Sequence, residues 1–310
     1  MNQYFQDIKV LLIGDFMVDQ YIFCTSTRMS PEAPVPVLEP NDEFIVPGGA
    51  GNVALNMSKL GASVSCLGYI GSDNQGSELK KILNNQKINT EHLRQNGDLT
   101  TIKRRYYNKD KQVLRIDYEN VLEDWSPDIS NINFDEYDVV ILSDYNKGVL
   151  NNTWFSKIEN ENIFVDPKKD DFSFYSNAKI ITPNLHELEK ASKLTIDNND
   201  TLVKVCQSII GKTKLEYIVA KKGENGMTVV GRNGFVSHID AHQVSNPDVT
   251  GAGDTVIAAL SLEYIKTKDI ERAAIIANAV AAVVVGKQGT AFATFEEINL
   301  LLEEKIIWSM

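Results

Sequence analysis

Short apolar runs recur along the chain at residues 8–13, 63–67, 139–142, 163–165, 179–182 and 217–220, and each ends near Gly, Asp, Ser or Pro. Runs this short, rich in β-branched residues and lacking helical spacing, predict buried strands. Between them, apolar residues return every three or four positions over 50–60, 77–84, 185–193 and 201–210, which predicts helices. Residues 252–265, 270–285 and 295–304 form a further helical block near the C-terminus. Strands alternating with helices predict an α/β fold, with a mostly parallel sheet covered on both faces.

Two segments break this rhythm. Residues 34–46 (PVPVLEPNDEFIV) are extended and proline-rich, and residues 100–118 (TTIKRRYYNKDKQVLRIDY) predict a hairpin turning at 108–111. Both suit a small β flap attached to the main domain. Residues 119–135 predict an acidic surface connection, and no repeat or low-complexity stretch is present.

Composition narrows the function classes. The 310 residues are 43% hydrophobic and 24% charged, enough for one large α/β domain or two small ones. A net charge of −11 argues against a nucleic-acid or anionic-membrane surface, which needs a basic excess. Cys24, Cys66 and Cys206 are odd in number and form no CxxC pair, so neither a disulfide framework nor a zinc site is indicated. The first residues lack a basic signal-peptide region, and no apolar run approaches the roughly 20 residues of a membrane helix. A cytoplasmic location is expected.

The densest chemical signal is VTGAGDTVIAAL, residues 249–260. It is no dinucleotide fingerprint: Gly251 and Gly253 give G-x-G, but Val256 holds the sixth position and no Walker-type Gly-Lys-Ser/Thr follows. The run after the first strand, residues 13–19, lacks G-x-G-x-x-G as well, which disfavours a dinucleotide oxidoreductase. What remains is a glycine-lined helix start, where free N–H groups and the helix dipole favour an anion. Asp254 there either complements the dipole, worth about 0.3–1 kcal/mol, or accepts a proton beside the anion. A second cluster, Gly48, Gly49 and Gly51 followed by Asn52, also enters a helix. It is either a flexible turn or a close approach for a ligand, with Asn52 able to donate and accept hydrogen bonds.

Together these stretches resemble the ribokinase-like (PfkB) carbohydrate kinase family. The Gly48-Gly49 pair, Asn52 three residues on and Leu60-Gly61 eight residues later match its N-terminal signature; residues 248–254 (DVTGAGD) match its C-terminal one. The resemblance implies a three-layer α/β/α ribokinase-like fold with a mostly parallel central sheet and a small β lid. It implies one carbohydrate-kinase domain over 1–310, with lid segments near 16–46 and 100–118. Asp254 would be the base, and Gly251, Ala252 and Gly253 the anion hole for the transferring phosphoryl group. Little beyond positioning and charge stabilisation is needed for such a transfer.

ATP and Mg2+ are the implied cofactors. In residues 182–187 (TPNLHE), Asn184 and Glu187 match the family's Asn-x-x-Glu motif, Glu187 acting on the metal through water. By spacing alone the same pair reads equally well as a helix capping box. Lys221, Gly223 and Gly226 resemble a strand-end turn beside the nucleotide phosphates, although many members carry Thr where Lys221 stands. Asn278 falls where the family lines its adenine pocket. Asp248 and Thr250, with the loop 286–290, resemble a monovalent-cation region, so K+ is a further possible ion.

Within the family, residues 28–37, 143–148, 166–168 and 286–290 resemble the branch acting on D-glycero-β-D-manno-heptose 7-phosphate. That branch phosphorylates the C1 hydroxyl to the 1,7-bisphosphate used for the heptose of bacterial lipopolysaccharide and related surface glycans. The hairpin's cations suit a phosphorylated substrate or simply form a solvated face; Lys103, Arg105, Arg115 and Asp117 coincide with the branch pattern. Asp15, Asp19, Gly48, Gly49, Asn52, Asp144, Lys147, Asp166 and Lys168 complete the expected substrate set; the last four lie near strand C-termini, where open α/β sheets bind ligands. A kinase for another sugar or sugar phosphate is the alternative. A sugar- or nucleotide-sensing protein is a third reading, disfavoured because Asp254 and both glycines are present. Some members of the branch carry a C-terminal nucleotidyltransferase domain; here the sequence stops at Met310 and a stand-alone kinase is expected. Lid strands in the family often pair between subunits, so a homodimer is expected.

Overall fold

The computed structural model describes residues 4–96, 99–109, 111–151, 153–287, 289 and 291–302. Asp110 of the expected hairpin turn, Gln288 and Thr290 of the expected cation loop, and residues 303–304 of the expected last helix lie outside the described residues.

One strand organises the molecule. β1 (Lys9–Thr25) runs for 17 residues and belongs to two sheets in succession. Its first half pairs in parallel with β3 (Ser63–Gly71) and β7 (Val139–Ser143). From β7 the main sheet continues through β8 (Ile163–Asp166), β9 (Ile180–Ile181), β10 (Tyr217–Lys221), β11 (Met227–Gly231) and β12 (Val236–Ile239). Beyond β3 it ends at β4 (Asn89–Asn96). All these pairings are parallel except β10–β11 and β11–β12. The second half of β1 pairs antiparallel with β2 (Glu39–Gly49) and parallel with β5 (Thr101–Asn108), which forms a hairpin with β6 (Lys111–Tyr118).

Helices cover both faces of the main sheet. Val10 and Leu12 of β1, with Val139 and Ile141 of β7, pack on one side with α1 (Ala50–Lys59), α2 (Asn74–Asn85), α5 (Ala252–Thr267), α6 (Ile270–Val285) and α7 (Phe295–Leu301). Leu11, Ile13, Val140 and Leu142 point the other way, against α3 (Leu185–Ser192), α4 (Asn199–Lys212) and two short 3-10 turns. This is the period-two alternation of a strand buried on both sides, and it explains why these strands read as unbroken apolar runs. Each fully buried Leu or Ile contributes about 1.5–3 kcal/mol relative to exposure. Cys24, Cys66 and Cys206 are buried and free. No described helix is long and apolar enough to cross a membrane.

Three sequence expectations change. The first strand does not stop at Gly14 and Asp15 but continues to Thr25. Gly14 marks a close approach rather than an end: a Cβ there would lie 2.3 Å from the Ser143 carbonyl oxygen. The extended segment 34–46 joins the sheet only from Glu39 onward, and Met29 and Pro36 bridge in the preceding loop. Prolines lack the N–H a ladder requires, and Pro31, Pro34 and Pro36 crowd that loop. The strands β4, β11 and β12 were not among the apolar runs. β4 and β12 are edges with mixed polarity, so burial leaves a weaker pattern in them.

The Gly14 contact is testable. Gly14→Ala is expected to lower stability by about 1–3 kcal/mol, the usual cost of overpacking a tight core. Thermal melting checks this, and an unchanged midpoint would mean that β1 and β7 part without penalty.

Candidate active site

The two glycine-rich stretches meet at a single carboxylate. Gly251 caps α5 in the left-handed region at φ 76°, and Asp254 lies buried in the helix's first turn. Oδ2 of Asp254 accepts a hydrogen bond from Asn52 Nδ2 at 2.8 Å, across 202 positions of sequence. A side chain at Gly251 would collide with that same Nδ2, with a Cβ only 2.4 Å away, which is why glycine is required there. Asn52 is held in turn by Asn56, whose Nδ2 donates to Asn52 Oδ1 at 3.1 Å and to its carbonyl at 2.9 Å. Asn52, expected on the substrate, therefore has its amide on Asp254.

The other oxygen of Asp254 accepts a hydrogen bond from the phenol of Tyr145. Tyr145 was absent from the expected site residues, although its neighbours Asp144 and Lys147 were included. Burial, joined by the nearby charge of Asp166, pushes the Asp254 carboxyl up, against the hydrogen bonds from Tyr145 and Asn52 and the charge of Lys221. The balance leaves it at about 7.

The expected anion hole changes in one member. Ala252 N–H turns back onto the Val249 carbonyl at 3.2 Å, because the chain makes a tight turn just before the helix. The N–H groups of Gly251 and Gly253 have no partner among the described residues. Opposite Gly253 stands Lys221, its Nζ 3.2 Å from where a Cβ would be. These two N–H groups stand beside the carboxylate with the Lys221 ammonium, which is itself paired with Asp166.

Asp166 and Lys168, expected on the sugar, instead lie with the residues expected at the nucleotide. Asp166 Oδ1 accepts from Lys221 Nζ at 2.5 Å and Thr182 Oγ1 at 2.9 Å. Lys168 Nζ donates to Glu187 Oε1 at 3.0 Å. The reason is the sheet order, which sets the ends of β8, β9 and β10 side by side. Asn184 and Glu187 do form the capping box at the start of α3, with reciprocal bonds of 2.9 and 2.8 Å. Glu187 thus both caps α3 and accepts from Lys168. Beyond it, Gly223 and Gly226 shape the turn after β10 at φ 60° and 76°. A cleft of about 590 Å³ opens there, lined by Leu185, Asn199, Leu202, Lys222, Asn225 and Asp240 among others. Asn278 borders it by donating to the Asp240 carbonyl at 2.8 Å.

Two buried carboxylates expected at the sugar serve the loop that carries Tyr145. Asp15 accepts backbone N–H bonds from Tyr145, Lys147 and Val149 at 2.8, 3.1 and 3.1 Å. Asp144 accepts from the Tyr175 phenol at 2.6 Å and the Asn146 N–H at 2.7 Å, and burial pushes its carboxyl up to about 6. Asp15 lies inside β1 and Asp144 directly follows β7, so loop amides reach both. Lys147 pairs with Glu119 at 2.6 Å.

The lid presents one charged face toward this centre. Asp19 accepts from Arg105 at 2.6 Å, and Gly48 makes room for it: a Cβ there would lie 2.7 Å from Asp19 Oδ2. Gly49, at φ 55°, brings the chain past the Asp15 carbonyl into α1. Lys103 Nζ lies 5.3 Å from the Tyr145 ring centroid. Arg115 and Asp117 pair with each other at 3.0 Å on β6, with Arg115 directly opposite Arg105. Asp19, Lys103, Arg105, Arg115 and Asp117 thus share one face by strand alternation, whereas Arg104 points away and bonds Gln20. Asp248 accepts from Thr250 N–H at 3.0 Å and Gly289 N–H at 2.8 Å. Among the described residues, no three His, Cys, Asp or Glu side chains cluster to hold a metal ion.

A carboxylate beside a glycine-lined helix start at the C-terminal edge of a parallel sheet, under a β flap, is the arrangement expected of a phosphotransferase of the ribokinase-like kind. Residues 7–297 match the model of the pfkB family carbohydrate kinases. The chain belongs to that family. It is 39% identical over 311 residues to the bifunctional protein HldE of Helicobacter acinonychis, and 35% identical over 308 residues to that of Coxiella burnetii. The matches cover 96% and 97% of this chain but 66% and 65% of those relatives. The Arabidopsis thaliana ribokinase complexed with ribose and ATP superposes with a TM-score of 0.79 at 17% identity, covering 96% of this chain and 99% of that one. It shares the fold.

A base must be ionised to take a proton, so the pH profile is fixed in sign. With Asp254 titrating near 7, kcat/KM is expected to fall as pH drops through about 7 and to level off above it. Asp254→Asn is expected to lower kcat by about 10²–10⁴-fold, the usual contribution of a general base; a flat acid side or an active Asn variant would remove Asp254 from that role.

Proposed function

We propose that the chain transfers the γ-phosphoryl group of ATP to the C1 hydroxyl of D-glycero-β-D-manno-heptose 7-phosphate, giving the 1,7-bisphosphate in bacterial heptose biosynthesis for lipopolysaccharide or other surface glycans. The kinase class follows from the family, and the observation that supports the substrate is the lid. Arg105 and Arg115 stand directly across from each other on β5 and β6, an arrangement that is destabilising unless anions lie nearby. Asp19 and Asp117 offset the two charges in part, and Arg115 remains about half exposed. Lys103, nearer the Asp254 carboxylate, has no carboxylate partner among the described residues. A sugar whose far end carries a phosphate suits this graded row of cations, since Arg binds phosphate through paired charge-assisted bonds.

In this reading Asp254 takes the proton from the accepting hydroxyl as its oxygen attacks phosphorus. The N–H groups of Gly251 and Gly253, with Lys221, hold the charge of the transferring group. ATP lies along the turn at Gly223 and Gly226 and the cleft bordered by Asn278. Mg2+ binds through one or two carboxylates, several waters and phosphate oxygens. Glu187 fits that donor set, because each of its oxygens retains an acceptor site beyond the bonds from Asn184 and Lys168. The ion would neutralise phosphate charge there. A monovalent cation at Asp248 and Thr250 is compatible by the same count, since each Asp248 oxygen accepts one backbone N–H bond and keeps a second acceptor site. We read residues 1–310 as one kinase domain and the chain as a homodimer through the lid, where Phe44, Leu114 and Tyr118 are each more than 40% exposed.

Kinetics on a panel of sugars and sugar phosphates test the substrate: the largest kcat/KM is expected for the heptose 7-phosphate, and indifference to it would sink the assignment. Arg115→Ala is expected to raise the sugar-phosphate KM about tenfold or more, the loss of one charge-assisted bond, and to leave the ATP KM within about twofold. Sedimentation at working concentration is expected to give a dimer.

A further inference from the structure

Tyr145 is the residue of the centre for which neither the family signatures nor the substrate reading provides a role. Its phenol is neutral, because burial and the adjoining carboxylates of Asp254 and Asp166 raise its ionisation well above the usual tyrosine value. It is therefore a donor, and it donates to Oδ1 of Asp254 while Asn52 donates to Oδ2. With a donor on each oxygen, the plane of the carboxylate is fixed. Each oxygen still has a second lone pair, enough to accept from a sugar hydroxyl.

The placement of Tyr145 has its own supporting structure. Asp15 lies buried at the junction of the two sheets, 2% exposed, where an unpaired carboxylate would be strongly disfavoured. Its oxygens gather the N–H groups of Tyr145, Lys147 and Val149, three alternate residues of one loop. The strand that carries the lid thereby fixes the backbone from which the phenol reaches Asp254. Around the ring and carboxylate stand Lys103 from β5, Asp19 from β1, Asp166 from the end of β8 and Lys221 from the end of β10.

We propose that Tyr145 is a positioning residue for the phosphoryl transfer, its phenol holding Asp254 in the rotamer and the ionised form that accept the hydroxyl proton. The inference rests on the reading of Asp254 as base. During the transfer, the sugar oxygen forms its bond to phosphorus and gives its proton to Asp254. The bond from phosphorus to the bridging oxygen breaks, its electron pair leaving with ADP. Tyr145 keeps its own proton throughout. A hydrogen bond to the charged form of an acid favours that form, so removing it disfavours the ionised carboxylate in a site where burial already opposes it.

The test does not need the sugar. In protein labelled with carboxyl-13C aspartate, the Asp254 resonance, assigned by its loss in Asp254→Asn, is followed by NMR as pH is changed. Tyr145→Phe is expected to move the Asp254 midpoint upward by about one pH unit, a tenfold change in its ionisation equilibrium and the size of one charge-assisted hydrogen bond. Incorporation of a difluorotyrosine at 145, which keeps the shape and makes the phenol a stronger donor, is expected to move the midpoint downward. If the Phe variant does not fold, the fluorinated protein alone decides the sign. A midpoint unmoved by either change overturns the inference. With a turning-over sugar phosphate, the acid limb of kcat is expected to follow the same two shifts while both KM values stay within about threefold. A moving midpoint with full activity in Asp254→Asn would instead overturn the base reading and leave the contact standing.

Discussion

The hydrogen bond from Asn52 to Asp254 is the interaction on which the centre depends. It joins the first helix after the lid to the helix that carries the glycine-lined turn, across 202 positions of sequence. A carboxylate buried to 4% exposure is stable only with donors on its oxygens, and Asn52 and Tyr145 supply one each. Gly251 must be glycine because Asn52 occupies the space a side chain would need. The left-handed turn at Gly251, the start of α5 and the free N–H groups of the pocket all follow from this packing.

The second constraint is the continuity of β1. Because the strand passes from the main sheet into the lid without a break, Asp15 and Asp19 project on the same side of one rigid element. Asp15 reaches into the loop bearing Tyr145, and Asp19 reaches Arg105 on the lid. The lid's charged face and the loop's phenol are thus placed by the same backbone. A hinge at Gly14 would uncouple them, but Gly14 is packed against Ser143 with no space for even a methyl group.

Much of this was legible in the sequence. The apolar runs located six of the main-sheet strands, and the helical spacing located α1 to α7, because strands buried on both faces and half-buried helices leave strong periodic traces. The lid cations singled out by family pattern proved to share one face, a placement that strand alternation alone supports. What spacing could not show was which partner each polar side chain would choose. Asp166 and Lys168 lie two residues apart and read as one sugar-binding pair, yet each is bonded to a residue expected at the nucleotide. Tyr145 falls within residues 143–148, which resemble the branch, but no role was expected for it. Its contact with Asp254 spans 109 positions and leaves no local signature. Asp15 was recognised as special but assigned to the sugar, because a carboxylate at a strand end is ambiguous between a ligand and a loop anchor until the loop is seen.

The electrostatics of the centre follow from pairing within an acidic protein. Asp166 with Lys221, Glu187 with Lys168, and Asp19 with Arg105 each bring a carboxylate and a cation within 3.0 Å. In the two buried pairs, Asp166–Lys221 and Asp19–Arg105, removing one partner would leave an uncompensated charge, a change that typically destabilises by about 3–5 kcal/mol; Lys168 is about half exposed and its pair is weaker. Pairing keeps these cations in place in a chain of net charge −11, where isolated ones would be drawn to surface acids. Asp254, like Asp15 and Asp144, differs from these paired acids in that neutral donors rather than a cation hold its oxygens. Its nearest charges, Asp166 and Lys221, are already paired and act on it in opposite directions. Burial is therefore left as the main influence on its ionisation, and the carboxyl titrates near neutrality, where it can both accept a proton and release it again.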